Sequence, residues 1–495
     1  MTLVIKRLDL TSERRHDVVW SEPDQSQLRT THLFDGRLPY RKLRAMVDVD
    51  LLRADYSIFA TPEDLLTELL GHPLVEVFRY SDDGPPSDLT PSDGGAYEGW
   101  VVVEGHDSLH GWSGIFSTGP TNTSVGAVMG NAVDVAGRDS TSETYAHLPP
   151  DDAAHRRRAD ALAVQVAKQV LKADLYVTNR AYLRARQWGV TSGVTLCRPD
   201  EAIALLGLYF RAQGVFPIVR RVGMNRGLFY WVGAREMLPE TWRWFSACVQ
   251  HAEGRGDDSL MLLGGSLIQR FARALQARDQ VHVSLNQPQN NDTQDAALAD
   301  LDVALVLLMG CVDVAARVAH RALALPTKEH YAAWQDQGWL SAVGQQATHL
   351  AAAVIPGTDG CNALTILRLL RNSVHGIALQ GMAHQSGSNA MESLVGIPAK
   401  DEKKLQTAMS ALGGTTAWGA RMLANQLHLD PGIFVDQLFD HLVLLLNELM
   451  KLTPVENFTH VTLSPSDCLP PTADAPAGDT FAEPVRRSLR WQLGF

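Results

Sequence analysis

The chain has 495 residues, with 44 Lys+Arg against 55 Asp+Glu and a formal charge of −11. That length exceeds one ordinary core and predicts two or three domains, and 45% hydrophobic with 20% charged residues is a globular composition. The acidic balance disfavours tight non-specific binding to a polyanion, but it leaves room for a local basic pocket that grips one or two phosphates.

TPEDLLTELLGH (61–72) predicts a helix capped by Thr61, with Glu63 and Asp64 in its first turn. LVEVFRY (74–80) predicts a strand, SDDGPPSDLTPSDGGAY (81–97) a polar loop and WVVVEG (100–105) another strand. The Gly/Ser/Thr-rich stretch to about 150 predicts loops with short strands. From 157 to 213 the pattern is helix, strand (ADLYVTN, 173–179), short helix, strand (VTLC, 194–197) and helix (PDEAIALLGLYFRAQG, 199–214). Helices alternating with apolar strands predict a parallel α/β unit.

From about 236 the strand signals stop. Helices are expected near 237–252, 259–278, 295–322, 328–342, 344–353, 361–384, 400–412, 415–427 and 431–452, with 282–294 as a polar connector. The expected organisation is a mixed α/β region over 1–150 and an α/β unit over 151–235 that completes the N-terminal domain. A helical connector over 236–294, a helical domain over 295–455 and an irregular tail over 456–495 follow. The fold class is α+β overall, an N-terminal α/β domain followed by an all-α bundle.

No stretch reaches the roughly 20 apolar residues that span a bilayer; the richest, 301–319, carries Asp302, Asp313 and Arg317. The N-terminal MTLVIKRLDLTSERRHD lacks the apolar core of a secretory signal. Cys197, Cys248, Cys311, Cys361 and Cys468 are scattered with no CxxC pair, which predicts reduced thiols in a cytoplasmic protein.

The segment ILRLLRNSVHGIALQ (366–380) carries the most suggestive chemistry. Ile366, Leu367, Leu370, Val374 and Ile377 recur at helical spacing. On a helix turning about 100° per residue, Arg368, Arg371, Asn372 and His375 would share one face. A fixed cation beside an imidazole that titrates near neutrality suits RNA backbone cleavage: the cation stabilises the pentacoordinate phosphate and the imidazole moves protons. The bland alternative is a polar helix face whose Arg and His pair with carboxylates or carbonyls.

LRNSVHG resembles the Arg/Asn…His element of the HEPN superfamily, and the long helix expected over 298–323, with inward-facing acidic positions, is similar to the early helices of HEPN-like bundles. The resemblance covers roughly 295–452. It implies a metal-independent endoribonuclease, of a superfamily that supplies toxins and antiphage proteins, and a homodimer that brings two motif helices together. By resemblance His375 is the general acid/base or phosphate ligand, Arg371 the phosphate stabiliser and Asn372 a positioning residue. The family spaces Arg and His by four to six residues. Here Arg371 leaves three and Arg368 six, so either arginine is a candidate. HEPN-like scaffolds that bind a nucleotide or a regulatory protein without catalysis are the alternative.

Residues 157–206 resemble the C-terminal part of PIN-like nucleases, in which a helix bearing an Asp precedes a strand of the form ADxxVT and a second acid follows. Asp160 matches the helix acid, whereas Arg180 stands where the later acid is expected. The N-terminal part shows no apolar strand ending in an obvious Asp, so an intact Mg²⁺ or Mn²⁺ site is not expected.

Three weaker signals remain. HRRR (155–158) with Arg180, Arg184 and Arg186 is a candidate basic patch. RRVGMNRGLFYWVG (220–233) interleaves basic and aromatic residues, a pattern that can stack bases, although a hairpin with Trp231 in the core is the expected structure. His106, Asp107 and His110 lie close together without a third metal ligand. MLLGGSL (261–267) lacks the GK[ST] of a phosphate loop, and no GxSxG or HExxH motif occurs. No cofactor and no metal site are expected, RNA is the candidate partner, and no membrane association is expected.

Overall fold

A computed structural model of the chain describes residues 5–6, 42–52, 61–81, 99–104, 112–117, 123–128, 131–185, 194–219, 222–287, 289–374, 376, 378–385, 391–470 and 482–495. The N-terminal half is built on a seven-stranded sheet of order β5-β4-β3-β2-β1-β6-β7. Its strands are β1 (Leu43–Asp48), β2 (Val75–Ser81), β3 (Gly99–Glu104), β4 (Trp112–Ser117), β5 (Thr123–Val128), β6 (Leu175–Val177) and β7 (Thr195–Cys197). β1 pairs in parallel with β2 and β6, β2 with β3, and β6 with β7. β4 and β5 extend the sheet antiparallel.

Helices cover both faces of the parallel part, which is why β1, β6, β7 and all of β2 but Ser81 are buried. Leu43, Ala45 and Val47 point to one face, where helices α1 (Pro62–Leu70) and α5 (Pro199–Ala212) supply Leu65, Leu69, Ile203 and Leu206. Met46, Phe78, Tyr80 and Tyr176 point to the other, against Ala163, Val164 and Ala167. Those residues come from α3 (Pro150–Gln165), which follows α2 (Asn131–Gly137), and from the wider π-type turn over Val166–Val170. The period-2 alternation of a strand therefore aims Arg44 and Asp48 at the α3 face. Thr61 caps α1 as expected: its amide donates to Asp64 Oδ2 at 2.8 Å while its hydroxyl accepts from the Asp64 amide. The short α4 (Ala181–Ala185) leaves the end of β6.

The C-terminal half is mostly helical. α6 (Arg226–Met237), α7 (Thr241–Arg255), α8 (Ser259–Leu285), α9 (Asn291–Ala322), α10 (Gln337–Gln346), α11 (Thr348–Ala352), α12 (Asp359–Ser373), α13 (Ala399–Ala411), α14 (Pro431–Leu452) and α15 (Glu483–Leu493) share one large core. Several expectations need correction. The half is not all-α: strands β10 (Gln380–Gln385), β11 (Met391–Gly396), β12 (Ala420–Leu423) and β13 (Gln426–Leu429) form an antiparallel sheet of order β10-β11-β13-β12. The helix expected over 361–384 stops at Ser373, and that expected over 415–427 is a 3-10 turn followed by the β12–β13 hairpin. This hairpin turns through Ala424 and Asn425, both at positive φ (48° and 63°), as a two-residue turn matched to strand twist requires. RGLFYWVG belongs to α6, not to a hairpin, and only the short pair β8 (Pro217–Val219) and β9 (Val222–Gly223) precedes it. Part of the expected connector at 282–294 is helical, since α8 runs on to Leu285. The expected irregular tail contains the docked helix α15, with Val485, Leu489 and Leu493 buried.

One buried ion pair joins the halves, and a second ties helices within the C-terminal half. Arg211 of α5 donates from Nε to Asp279 Oδ2 of α8 at 2.5 Å and from Nη1 to the Gln492 carbonyl of α15 at 2.9 Å. Arg278 of α8 donates to Asp436 Oδ1 of α14 at 2.6 Å and to the Leu493 carbonyl at 2.8 Å. The Ile5 amide reaches the other Asp436 oxygen at 2.9 Å. Among the described residues no helix is long and apolar enough to cross a membrane. All five cysteines are unpaired, with Cys197, Cys248 and Cys311 buried.

Candidate functional site

β1 neighbours β2 on one side and β6 on the other, so the chain order reverses beside it. In an open parallel sheet that point leaves a crevice beyond the carboxyl ends of the strands, where ligands bind. Asp48 is the last residue of β1, and Thr178 follows the last residue of β6. Asp48 accepts from Tyr176 Oη and from Thr178 Oγ1, each at 2.6 Å. Asp160 of α3 accepts from Tyr145 Oη at 2.8 Å. Arg180 lies between the two carboxylates, its Nε 3.4 Å from Asp48 and its Nη1 3.3 Å from Asp160, with its guanidinium carbon 5.1 Å from the centre of the Tyr80 ring.

Burial dominates the electrostatics. It pushes Asp48 up to about 6, against the opposing pull of Arg180, Thr178 and Tyr176. Burial likewise raises Asp160, opposed by Tyr145 and Arg180, and lifts the Tyr145 phenol to about 12. The centre thus holds two carboxylates whose charge is answered by one guanidinium, a group that stays protonated in proteins. Among the described residues no three His, Cys, Asp or Glu side chains come together as a metal site.

Asp160 and Arg180 were legible in the sequence, whereas Asp48 was not. A strand with the apolar run LRAMVD does end in an Asp, contrary to expectation. Arg44 breaks its apolar pattern, and the structure accommodates that charge by pairing Arg44 with Glu76 at 2.7 Å on the adjacent strand. The candidate basic patch is assembled only in part, with His155, Arg156 and Arg184 exposed. Arg157 turns inward to the Ala136 and Gly137 carbonyls, Arg180 faces the acids, and Arg186 lies outside the described residues.

The arginine face of the helical half is assembled only in part. Arg368 and Asn372, one turn apart on α12, are exposed, and Arg371 is half-buried. Its Nε has no acceptor among the described residues. α12 ends two residues before His375, which lies outside the described residues, so the helical face carries Arg368, Arg371 and Asn372 alone. Across from it Asp313 of α9 is raised by burial, with Arg317, Arg371 and Arg270 close enough to oppose that rise. Arg270 is tied to α9 through the Gly310 carbonyl at 3.0 Å. His106, Asp107 and His110 lie outside the described residues, and MLLGGSL is an interior stretch of α8.

No family model, no curated protein and no solved structure matches this chain.

Proposed function

We propose that the chain is an RNA-recognising protein whose α/β half is a PIN-like module closed to metal. The observation that supports this reading is Arg180, set between Asp48 and Asp160 at the switch point of the sheet. A metal-dependent nuclease centre needs several carboxylates free to ligate Mg²⁺ or Mn²⁺. Here a permanent side-chain cation answers both acids, and Tyr and Thr hydroxyls take up their oxygens. Such a centre recognises or regulates and does not hydrolyse. The test combines binding of labelled single-stranded RNA with cleavage assays in Mn²⁺ and in EDTA, beside Arg180→Asp. The expected result is RNA binding without Mn²⁺-dependent cleavage, and calorimetric Mn²⁺ binding gained by Arg180→Asp. Mn²⁺-dependent cleavage that disappears in Asp48→Asn would show a working metal nuclease, and the absence of RNA binding would remove RNA as the partner.

A second reading is favoured by the Arg371 Nε, which has no acceptor among the described residues, and by Asp313 nearby. In it the helical half is HEPN-like and cleaves RNA without metal in a homodimer, with Arg371 or Arg368 stabilising the phosphate, His375 moving protons and Asn372 positioning. Cleavage that survives EDTA, leaves cyclic phosphate ends and vanishes in His375→Ala supports it. Binding with no cleavage under any condition leaves a non-catalytic scaffold for RNA or a regulatory protein.

A further inference from the structure

Arg235 of α6 is 4% exposed and sits among three aromatic rings. Its guanidinium carbon lies 4.7 Å from the ring centre of Trp231, one turn earlier on the same helix. It lies 3.8 Å from Trp242 and 5.2 Å from Phe245, both on α7. Among the described residues no carboxylate or carbonyl accepts from it, and its buried Nε and Nη2 each lack a hydrogen-bond partner. Arg44, Arg211 and Arg278 are buried too, but each is answered by a carboxylate, and Arg157 is answered by two carbonyls. Ring faces attract a cation but do not replace the acceptors its N–H groups lose on burial. Burial lowers the guanidinium to about 10.

We propose that this cage is a nucleotide-binding site independent of the α/β centre. Nε and Nη2 lie on one edge of the guanidinium, and two N–H groups side by side match two oxygens of a phosphate. Trp231, Trp242 and Phe245 are each only half-buried, so a base entering with the phosphate has ring faces to stack on. Nε and Nη2 are buried, so contact with a phosphate requires a neighbouring ring to move aside. Of the aromatic and basic interleaving at 220–233, the site uses Trp231, and the other three of its residues follow that segment. A free nucleotide and a single-stranded RNA chain present the same phosphate-plus-base chemistry.

Calorimetry on the full chain tests this with adenosine monophosphate, an RNA trinucleotide, adenosine without phosphate, and a peptide rich in Asp and Tyr. Saturable binding of the monophosphate assigns a free nucleotide, and binding of the trinucleotide alone assigns an RNA chain. Either result supports the site when adenosine binds at least about 10-fold more weakly and Arg235→Met costs a further loss of about 10-fold or more, as expected for a charge-assisted bidentate contact. Met fills similar space without the charge, so its melting temperature stays level or rises. Should that variant melt lower, Arg235→Lys makes the comparison, because it keeps the charge and loses the fork; it too should bind at least about 10-fold more weakly. The proposal is overturned if neither nucleotide form binds at millimolar concentration. It is also overturned if the variants bind as the parent does, or if only the acidic peptide binds.

Discussion

Nε of Arg278 lies 2.6 Å from Oδ1 of Asp436, with both side chains wholly buried and the two positions 158 apart in the chain. Asp436 also meets His282 Nε2 at 2.9 Å and the Ile5 amide. Burial alone would raise its pKa, but Arg278 and His282 outweigh burial and hold Asp436 below the usual carboxylate range. Asp436→Asn leaves Arg278 buried without its countercharge, an arrangement that typically costs about 3–5 kcal/mol. Urea unfolding should show that loss at neutral pH. Because the folded carboxyl is depressed, its contribution is present above the unfolded pKa and disappears as pH falls through the folded one. The parent and Asp436→Asn should therefore converge in acid.

Gly207 on α5 is a second position with a forecast. A Cβ there would stand 2.7 Å from the Gln492 carbonyl and 2.8 Å from Arg211 Nη1. Gly207→Ala should gain helix propensity and still lose stability, by about 1–3 kcal/mol, because overpacking at this junction pushes α15 away. Thermal melts and proteolysis of the C-terminal segment would register it.

Asp48 predicts a pH dependence of opposite sign to that of Asp436. Its folded pKa of about 6 stands above the ordinary aspartate value of 3.8, so the folded protein holds this proton more tightly than the unfolded chain. Its contribution to stability is full below the unfolded pKa, falls as pH rises from about 4 to about 6, and stays lost above. Asp48→Asn, which keeps the side-chain shape and cannot ionise, should flatten the stability profile through that window in denaturant titrations at fixed pH.

Asp313 and Arg371 should act on anions in opposite directions. Asp313→Asn removes the negative charge among Arg270, Arg317 and Arg371, and Arg371→Ala removes one of the cations. If this face takes phosphate, RNA affinity rises in the first and falls in the second, and the salt dependence of Arg371→Ala loses one counterion's worth of slope. Binding isotherms at several salt concentrations separate these outcomes.

The architecture of the N-terminal half was legible because its signals are local. Thr61 and Asp64 announce α1, and the apolar runs at 74–80 and 173–179 announce β2 and β6. β1 was hidden because its Arg44 breaks the apolar run and pairs with Glu76, a partner 32 residues away. The β12–β13 half of the small C-terminal sheet was missed for another reason: these strands have four residues each, shorter than a periodicity window, and are marked by Gly419 and the Ala424–Asn425 turn. At the acidic centre Asp160 and Arg180 could be named from the helix–strand pattern. Their relation to Asp48 depends on strand order, which no local pattern encodes. The arginine face was overextended because the apolar spacing of 366–377 continues past Ser373, whereas the backbone does not.

The docking of α15 sets an order of events for folding. Arg211 and Arg278 each close a hydrogen bond on carbonyls more than 200 residues later in the chain, at Gln492 and Leu493. Until that segment has emerged from the ribosome, both guanidinium groups sit in a half-built interior without their last acceptors. The α/β sheet can form early from its own contacts, while the seam between the halves must wait. Contacts of such long sequence separation slow the final step, and during that wait the unfinished junction is open to mispairing and to chaperones.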